Sequence, residues 1–260
     1  MVISHRHRYL FVELAHTAST AVSKELRENY DGQLILAKHS TYRDFLKVAS
    51  DEEKSYFVFS CIRHPLDIAV TKYFKRKTDQ NRRWTDPVKT GASRDLGKVL
   101  DRRTFRFIHD TDADFAKYFL RFYRLPYNSW ACLDHKNLDF VMRFENLEAD
   151  FAEALRGIGI EQVRPLPAKN VTGERQKSFF DYYDTPAARE RAKRVFGIYL
   201  QEWNFELPPD WGEIEISAFD RAAHDVRTFL LKVYWLHLKR WVWRNEMRPV
   251  LTPSSAAARA

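Results

Sequence analysis

The chain has 260 residues, of which 45% are hydrophobic, so it can bury a sizeable core and wholesale disorder is excluded. Its formal net charge of +8 favours an anionic partner, which leaves open a nucleic acid, a phosphorylated cofactor, an acidic glycan or anionic lipid. Two cysteines are too few for a disulfide framework or a zinc site and indicate buried thiols of a reducing compartment. Because residues 1–8 contain no apolar signal segment and no apolar run approaches about 18 residues, we expect a cytoplasmic protein.

Apolar runs alternate with helix-like segments along the chain. In chain order, we predict strands at residues 9–15, 34–37, 56–62 and 138–144, all of them mainly apolar. The predicted helices are residues 22–30, residues 42–48 capped by Ser40 or Thr41, a helix opened by Pro65, a helix carrying Phe115, Phe119 and Phe122, a helix capped by Asn146, and residues 186–203. Residues 78–101 are polar, basic and poorly periodic, which predicts a long loop. Uniformly apolar strands are typical of a mainly parallel sheet covered by helices on both faces, so the predicted fold class is α/β.

Three regions are predicted along the chain. They are an α/β domain over residues 1–210, a helical extension over residues 211–250 and a disordered tail over residues 251–260. Within the extension, residues 229–244 interleave aromatic residues with Lys and Arg. This pattern predicts either a final helix that docks on the domain or on a second copy in a homodimer, or an interfacial helix at a membrane surface.

Two segments follow predicted strands at their carboxyl ends, which is where ligands bind in open α/β sheets. The first, residues 16–21, reads His-Thr-Ala-Ser-Thr-Ala and precedes a helix, whose N-terminus favours an anion. It is not a Walker A loop, because no glycine occurs before residue 32. Taken alone, this segment leaves plain helix capping open as the alternative.

The second segment begins with Arg63 at the end of the third predicted strand. An arginine in this place can hold a phosphate with two hydrogen bonds, and Thr71, two turns into the next helix, can add a hydroxyl. Between Arg63 and Arg103 there are 12 Lys or Arg residues against 5 Asp or Glu residues, which favours an anionic ligand here. The alternative is a surface ion pair between Arg63 and Asp67.

Together these segments resemble the phosphate-binding motifs of the carbohydrate sulfotransferase superfamily. Residues 11–20 are similar to its 5′-phosphosulfate loop, and residues 59–73 are similar to its 3′-phosphate motif. Residues 143–147 resemble its R-x-E-x-L segment, and residues 170–184 resemble its late basic loop and Tyr-Tyr-Asp stretch. The four motifs follow one another in the family's order.

The resemblance implies a P-loop-NTPase-like fold that binds 3′-phosphoadenosine-5′-phosphosulfate and transfers its sulfuryl group to an acceptor hydroxyl on a saccharide or glycolipid. It assigns the 5′-phosphosulfate to residues of the first segment, namely Thr17, Ala18, Ser19, Thr20 and Ala21. It assigns the 3′-phosphate to Arg63 and Thr71, and closure over the nucleotide to Arg175 and Lys177. The product would be 3′,5′-adenosine bisphosphate. No metal is implied, because arginines and helix N-termini can neutralise the phosphates.

Three positions carry the expected chemistry or depart from the family pattern. His16 stands where the family has the lysine that stabilises the leaving oxygen, and an imidazolium can donate the same hydrogen bond. Ser19 replaces the family's glycine, so the loop must make its turn differently. His39 follows the second predicted strand, and the resemblance makes it the candidate base for the acceptor hydroxyl. An exposed histidine in a capping loop is the alternative for His39.

Other functions remain as alternatives to a sulfotransferase. A nucleotide-binding, kinase-like protein would share the fold but needs a Walker-type lysine and a Mg²⁺-binding partner, neither of which is visible in the sequence. A nucleic-acid partner is not expected, because no recognition-helix or RNA-binding signature occurs. A non-catalytic, membrane-associated relative of the family would explain both the missing lysine and the aromatic extension.

Overall fold

The computed structural model describes residues 1–86, 96–129, 135–167 and 177–234. These residues form two compact units. The described residues of the first unit are 1–63, 129, 135–167 and 228–234, and those of the second unit are 64–86, 96–128 and 177–227. Among the described residues, no helix is both long enough and apolar enough to cross a bilayer.

A five-stranded mixed sheet forms the centre of the first unit. Its strands are β1 (Val2–Ser4), β2 (Tyr9–Val12), β3 (Gln33–Leu34), β4 (Phe57–Ile62) and β5 (Phe140–Arg143). The strand order is β3-β1-β2-β4-β5. β1 is antiparallel to both β2 and β3, whereas β2, β4 and β5 run parallel, with Phe11 opposite Phe59 and Phe59 opposite Phe140.

The described residues contain eight α-helices. In chain order they are α1 (Ser19–Asn29), α2 (Tyr42–Leu46), α3 (Pro65–Lys77), α4 (Leu96–Asp110), α5 (Phe115–Phe122), α6 (Leu147–Gly157), α7 (Pro186–Glu202) and α8 (Ala218–Val233). Capping residues in the sequence determine where several of these helices begin. The Thr41 hydroxyl and Asp44 form a capping box at α2, and Thr185 caps α7, where Pro186 is the first helical residue.

Apolar side chains cover both faces of the sheet in the first unit. One face packs Tyr9, Phe11 and Phe59 against apolar residues of α1 and α6, including Leu26 and Phe151. The opposite face packs alternate residues of the same strands, such as Leu10, Val12 and Val58, with Phe45 of α2. Since successive strand residues point to opposite faces, strands with two covered faces must be apolar throughout.

The second unit is helical and rich in stacked aromatic rings. Phe119 of α5 lies 5.0 Å from Tyr183 and 5.9 Å from Phe196 of α7, measured between ring centroids. The Tyr183 hydroxyl donates to the Leu66 carbonyl at the start of α3. At the other end of α3, Arg76 forms an ion pair with Asp101 of α4. The apolar stripe predicted around Phe115 therefore belongs to a helix that faces a core, as expected.

The α/β class and the helices that begin at Tyr42, Pro65, Phe115 and Pro186 are confirmed, but other predictions were wrong. The sheet is mixed rather than mainly parallel, because β1, with only three residues, pairs in antiparallel fashion on both of its edges. The second predicted strand is confined to Gln33–Leu34, since Leu36 has a left-handed φ of 56° that interrupts extended backbone. Part of the predicted loop is helical, because α4 already begins at Leu96. The tail at residues 251–260 lies outside the described residues, and the domain bounds stay predictions.

Candidate functional site

The turn between β2 and α1 is built without glycine. His16 and Ala18 both have left-handed backbone, with φ values of 70° and 55°. Ser19, which stands where the family has glycine, is instead the first residue of α1. A left-handed alanine costs on the order of 1 kcal/mol, so this turn stores strain of the kind found at ligand-binding loops. The turn therefore does without a glycine at position 19, because its left-handed residues are His16 and Ala18 instead.

The N-terminus of α1 leaves backbone amides available for an anion. No side chain caps it, its first turn carries no acidic residue, and the amides of Ser19 and Thr20 have no acceptor among the described residues. The Ala21 amide, in contrast, donates to the Ala18 carbonyl at 2.8 Å. The hydroxyls of Thr17 and Ser19 turn inward and donate to the Leu14 carbonyl at 3.2 and 2.6 Å. The two side chains hold the turn, while the two amides and the helix dipole can attract a negative charge.

Arg63 brings the two predicted phosphate segments together. It follows β4, which runs parallel to β2, so both segments leave the same edge of the sheet. Its Nη1 donates to the His16 carbonyl at 3.2 Å, and its guanidinium lies 4.0 Å from the centroid of the Phe144 ring. Phe144 belongs to the third motif of the resemblance. Stacking on Phe144 and the hydrogen bond to His16 orient the half-buried guanidinium beside the turn.

Lys38 is a cation of the site that sequence reasoning missed. Its Nζ donates to Thr20 Oγ1 at 3.2 Å, which places an ammonium group beside the first turn of α1. The family's lysine belongs to the turn itself, whereas Lys38 comes from the segment that follows β3. The pattern Lys-His-Ser-Thr contains the signal, although only its histidine was predicted to belong to the site.

His39 approaches the same turn from the β3 side. Its Nδ1 lies 3.2 Å from the carbonyl oxygen of Glu13, just beyond the end of β2. A carbonyl only accepts, so Nδ1 carries the proton and Nε2 is left with its lone pair. Burial lowers the pKa of His39 below its ordinary value of 6.5, and the Lys38 charge lowers it further, against the Glu13 hydrogen bond, which raises it. His39 is therefore mainly neutral at pH 7, the form that a base requires.

The remaining predicted residues lie in the second unit or outside the described chain. Thr71 is 3% exposed on α3, and its Oγ1 is a buried side-chain atom without a partner in the described residues. Such an unsatisfied hydroxyl costs about 1–3 kcal/mol unless something binds it. Lys177 is exposed, and Arg175 lies outside the described residues.

His64, next to Arg63 in sequence, has a structural role in the second unit. Its Nδ1 accepts from the Leu66 amide at 3.3 Å and thereby caps α3. Its Nε2 lies 3.2 Å from the Glu206 carbonyl, and its ring packs against three phenylalanines, Phe179, Phe180 and Phe205. Both ring nitrogens are committed to backbone groups, so His64 is not available for proton transfer.

Comparisons of the chain with protein-family models, curated protein sequences and solved structures give no match. No group of His, Cys, Asp or Glu residues in the described part of the chain is arranged to hold a metal ion. Fold and site together define an α/β protein with an uncapped helix N-terminus, two cations and a neutral histidine at one edge of its sheet. Such a site suits an anionic ligand and the removal of a proton.

Proposed function

We propose that the protein is a sulfotransferase that moves a sulfuryl group from 3′-phosphoadenosine-5′-phosphosulfate to a hydroxyl of a saccharide or glycolipid in the cytoplasm. The observation that carries the proposal is the hydrogen bond between Arg63 and the His16 carbonyl. It joins the two segments that resemble the family's 5′- and 3′-phosphate motifs. In this proposal the sheet edge formed by β2 and β4 serves as a P-loop-like nucleotide site.

The residues present fit such a donor. The amides of Ser19 and Thr20 lack acceptors among the described residues and would receive the 5′-phosphosulfate. Arg63 would hold the 3′-phosphate with its planar guanidinium, oriented by Phe144. The roles of Thr71, Arg175 and Lys177 toward the nucleotide stay predictions. No metal is needed in this arrangement, because cations and helix amides can balance the phosphate charge.

Transfer requires one proton to be removed and one developing charge to be stabilised. The donor supplies the sulfuryl group, whose sulfur forms a bond to the acceptor oxygen while its bond to the bridging oxygen breaks. His39 would take the acceptor's proton at Nε2, which its hydrogen bond to Glu13 leaves unprotonated. His16 and Lys38 would stabilise the negative charge that grows on the departing bisphosphate.

Binding of 3′,5′-adenosine bisphosphate tests the proposal through Arg63. At 100 times its Kd, the bisphosphate should stabilise the wild-type fold by about 2.7 kcal/mol. We expect Arg63→Ala to lose most of this stabilisation, because it removes the guanidinium that would hold the 3′-phosphate. The measurement is the ligand-induced shift of the thermal midpoint, which corrects for any change in the stability of the unliganded variant.

Arg156→Ala is the matched control for this experiment. Arg156 is an exposed arginine on α6, so its loss changes the net charge by the same amount away from the turn. The control should keep the full ligand-induced shift. Equal stabilisation by ATP with Mg²⁺, or none by the bisphosphate, contradicts the proposed donor and favours a kinase-like or unrelated function.

Lys38→Met should weaken binding of the phosphosulfate donor by about tenfold, the worth of one hydrogen bond to a charged group. The reason is the position of Nζ, 3.2 Å from Thr20 Oγ1 at the helix N-terminus. Lys54→Met removes another exposed lysine, which pairs with Asp51, and should leave the Kd unchanged. Isothermal titration calorimetry gives both values. Equal Kd values for the two variants would show that Lys38 does not substitute for the family's lysine.

A further inference from the structure

Residues 218–227 of α8 belong to the second unit and pack within it through their polar side. Arg194 of α7 donates to Asp220 Oδ1 at 2.9 Å, and the Ser217 hydroxyl donates to Asp220 Oδ2 at 2.7 Å. These bonds outweigh the cost of burial and lower the pKa of the Asp220 carboxyl. One turn further on, His224 is buried, and two turns further on Arg227 Nη1 donates to the Pro126 carbonyl at 2.9 Å. The inward side of this helix is therefore made of charged and polar residues.

The outward side of α8 is apolar. Phe219, Val226, Phe229 and Leu230 recur at spacings of seven, three and one, which places them on one side of a helix, and they are 72%, 60%, 65% and 58% exposed. This is the reverse of an ordinary surface helix, which buries its apolar side and exposes its polar side. An apolar side that contiguous and that exposed indicates a surface that is covered by a partner. We call the residues Phe219, Val226, Phe229 and Leu230 the outer face of α8.

Charge indicates which partner covers the outer face. From Asp225 to Arg244 the sequence contains five Lys or Arg residues, of which Arg227 faces inward, against one acidic residue, Asp225. It also contains three tryptophans, Trp235, Trp241 and Trp243, a residue type enriched at the boundary between lipid and water. Apolar and aromatic residues beside an excess of basic residues are typical of helices that lie on anionic bilayers.

A second copy of the chain fits this surface less well than a membrane does. In a two-fold symmetric dimer the same patch meets itself, and the net positive charge of residues 225–244 would be doubled rather than balanced. An anionic bilayer supplies both an apolar layer and the opposite charge. Among the described residues no helix can span a bilayer, so contact would be made from one side.

We propose that α8 docks the protein on anionic lipid surfaces by inserting its outer face into the headgroup boundary. The sequence pattern predicted such a segment at residues 229–244, of which 235–244 lie outside the described residues, and within α8 the exposed apolar side chains begin at Phe219. The polar contacts of Asp220 and Arg227 would hold the helix on the protein while its apolar side enters the lipid. This proposal does not depend on the sulfotransferase proposal.

Vesicle cosedimentation of the full chain tests this docking. The vesicles consist of phosphatidylcholine alone or with about 30 mol% phosphatidylglycerol. Wild-type protein should sediment with the anionic vesicles and far less with the neutral ones. Phe219→Glu/Phe229→Glu should lower the anionic partition coefficient at least about tenfold, because it removes two inserted rings and adds two repelled charges.

Leu125→Glu/Val163→Glu is the matched control. Both residues are exposed, apolar and outside α8, and the double change alters the net charge equally. It should keep the partition coefficient within about twofold of wild type. If Phe219→Glu/Phe229→Glu fails to fold by circular dichroism, Phe219→Ala/Phe229→Ala replaces it and should still reduce partition several-fold.

Three results would overturn the proposal. The first is wild-type protein that does not sediment with anionic vesicles. The second is an equal decrease of the partition coefficient in the α8 variant and in its control, which would show that net charge alone causes the decrease. The third is a wild-type dimer in sedimentation velocity that only the α8 variant dissociates, without vesicle binding, which would make the outer face a contact between copies.

Discussion

Replacing His39 by Ala is expected to lower kcat by about 10²–10⁴-fold, the usual worth of a positioned base, while the Kd for 3′,5′-adenosine bisphosphate stays nearly unchanged. The expectation rests on the contact between Nδ1 and the Glu13 carbonyl, which fixes the tautomer and leaves Nε2 able to take a proton. His39 is also adjacent in sequence to Lys38, whose ammonium reaches the first turn of α1. Transfer of a radiolabelled sulfuryl group to a panel of saccharide acceptors gives the rate, and calorimetry gives the Kd.

The variant His39→Gln separates proton transfer from positioning. A glutamine can still donate to the Glu13 carbonyl but cannot accept the acceptor's proton, so it should be as inactive as alanine. In the wild type, kcat/KM should fall as the pH falls through the pKa of His39, which burial holds below 6.5, and His39 should cause no loss on the alkaline side. A rate for His39→Gln close to that of wild type would move the base elsewhere.

The free energy of unfolding at acid pH is expected to depend on His135. This residue is 2% exposed in the first unit, and its Nε2 lies 3.0 Å from Ser60 Oγ, which itself donates to the Val12 carbonyl at 2.7 Å. Burial lowers the pKa of His135 from 6.5 to about 3. Below pH 6.5 the unfolded chain therefore takes up a proton that the folded chain refuses, and stability falls as the pH drops toward 3. The loss accumulates to about 3 kcal/mol between about pH 7 and about pH 4.

His135→Gln is the control for this linkage, because an amide can donate to Ser60 Oγ but does not titrate. The free energy of unfolding, measured by urea titration across the same pH range, should decrease by about 3 kcal/mol less in this variant than in wild type. Parallel pH profiles for the two proteins would mean that His135 is not held neutral by the fold. The pairing with Ser60 is buried in the sheet, so it is a structural contact that no substrate reaches.

Long apolar or amphipathic segments made part of this fold predictable from sequence. The segment before Arg63 is a buried central strand, and Pro65 marks the start of α3. β1 was not predictable in this way, because only Val2 and Ile3 carry an apolar signal, and its pairing with two neighbours supplies the rest. Short strands are specified by tertiary partners, whereas local patterns specify longer elements.

Those candidate site residues that come directly after a strand could be predicted from the sequence. The sequence placed Arg63 and the turn at His16 each at the end of a strand, and the structure brings them together because β2 and β4 are parallel neighbours. Lys38 was missed because its reach to Thr20 depends on a loop whose backbone, left-handed at Leu36 and His39, has no periodic signal. The inward turn of the Ser19 hydroxyl was likewise set by tertiary geometry, since the Leu14 carbonyl lies within its reach.

Calorimetric titration of the wild-type protein with 3′-phosphoadenosine-5′-phosphosulfate, beside a titration with ATP and Mg²⁺, tests the central claim most directly. In the proposed function, the amides at the N-terminus of α1 would receive the 5′-phosphosulfate and the guanidinium of Arg63 would hold the 3′-phosphate. We expect the phosphosulfate donor to bind at least about tenfold more tightly than ATP with Mg²⁺. Tighter binding of ATP with Mg²⁺, or no binding of the phosphosulfate donor, would contradict a sulfotransferase.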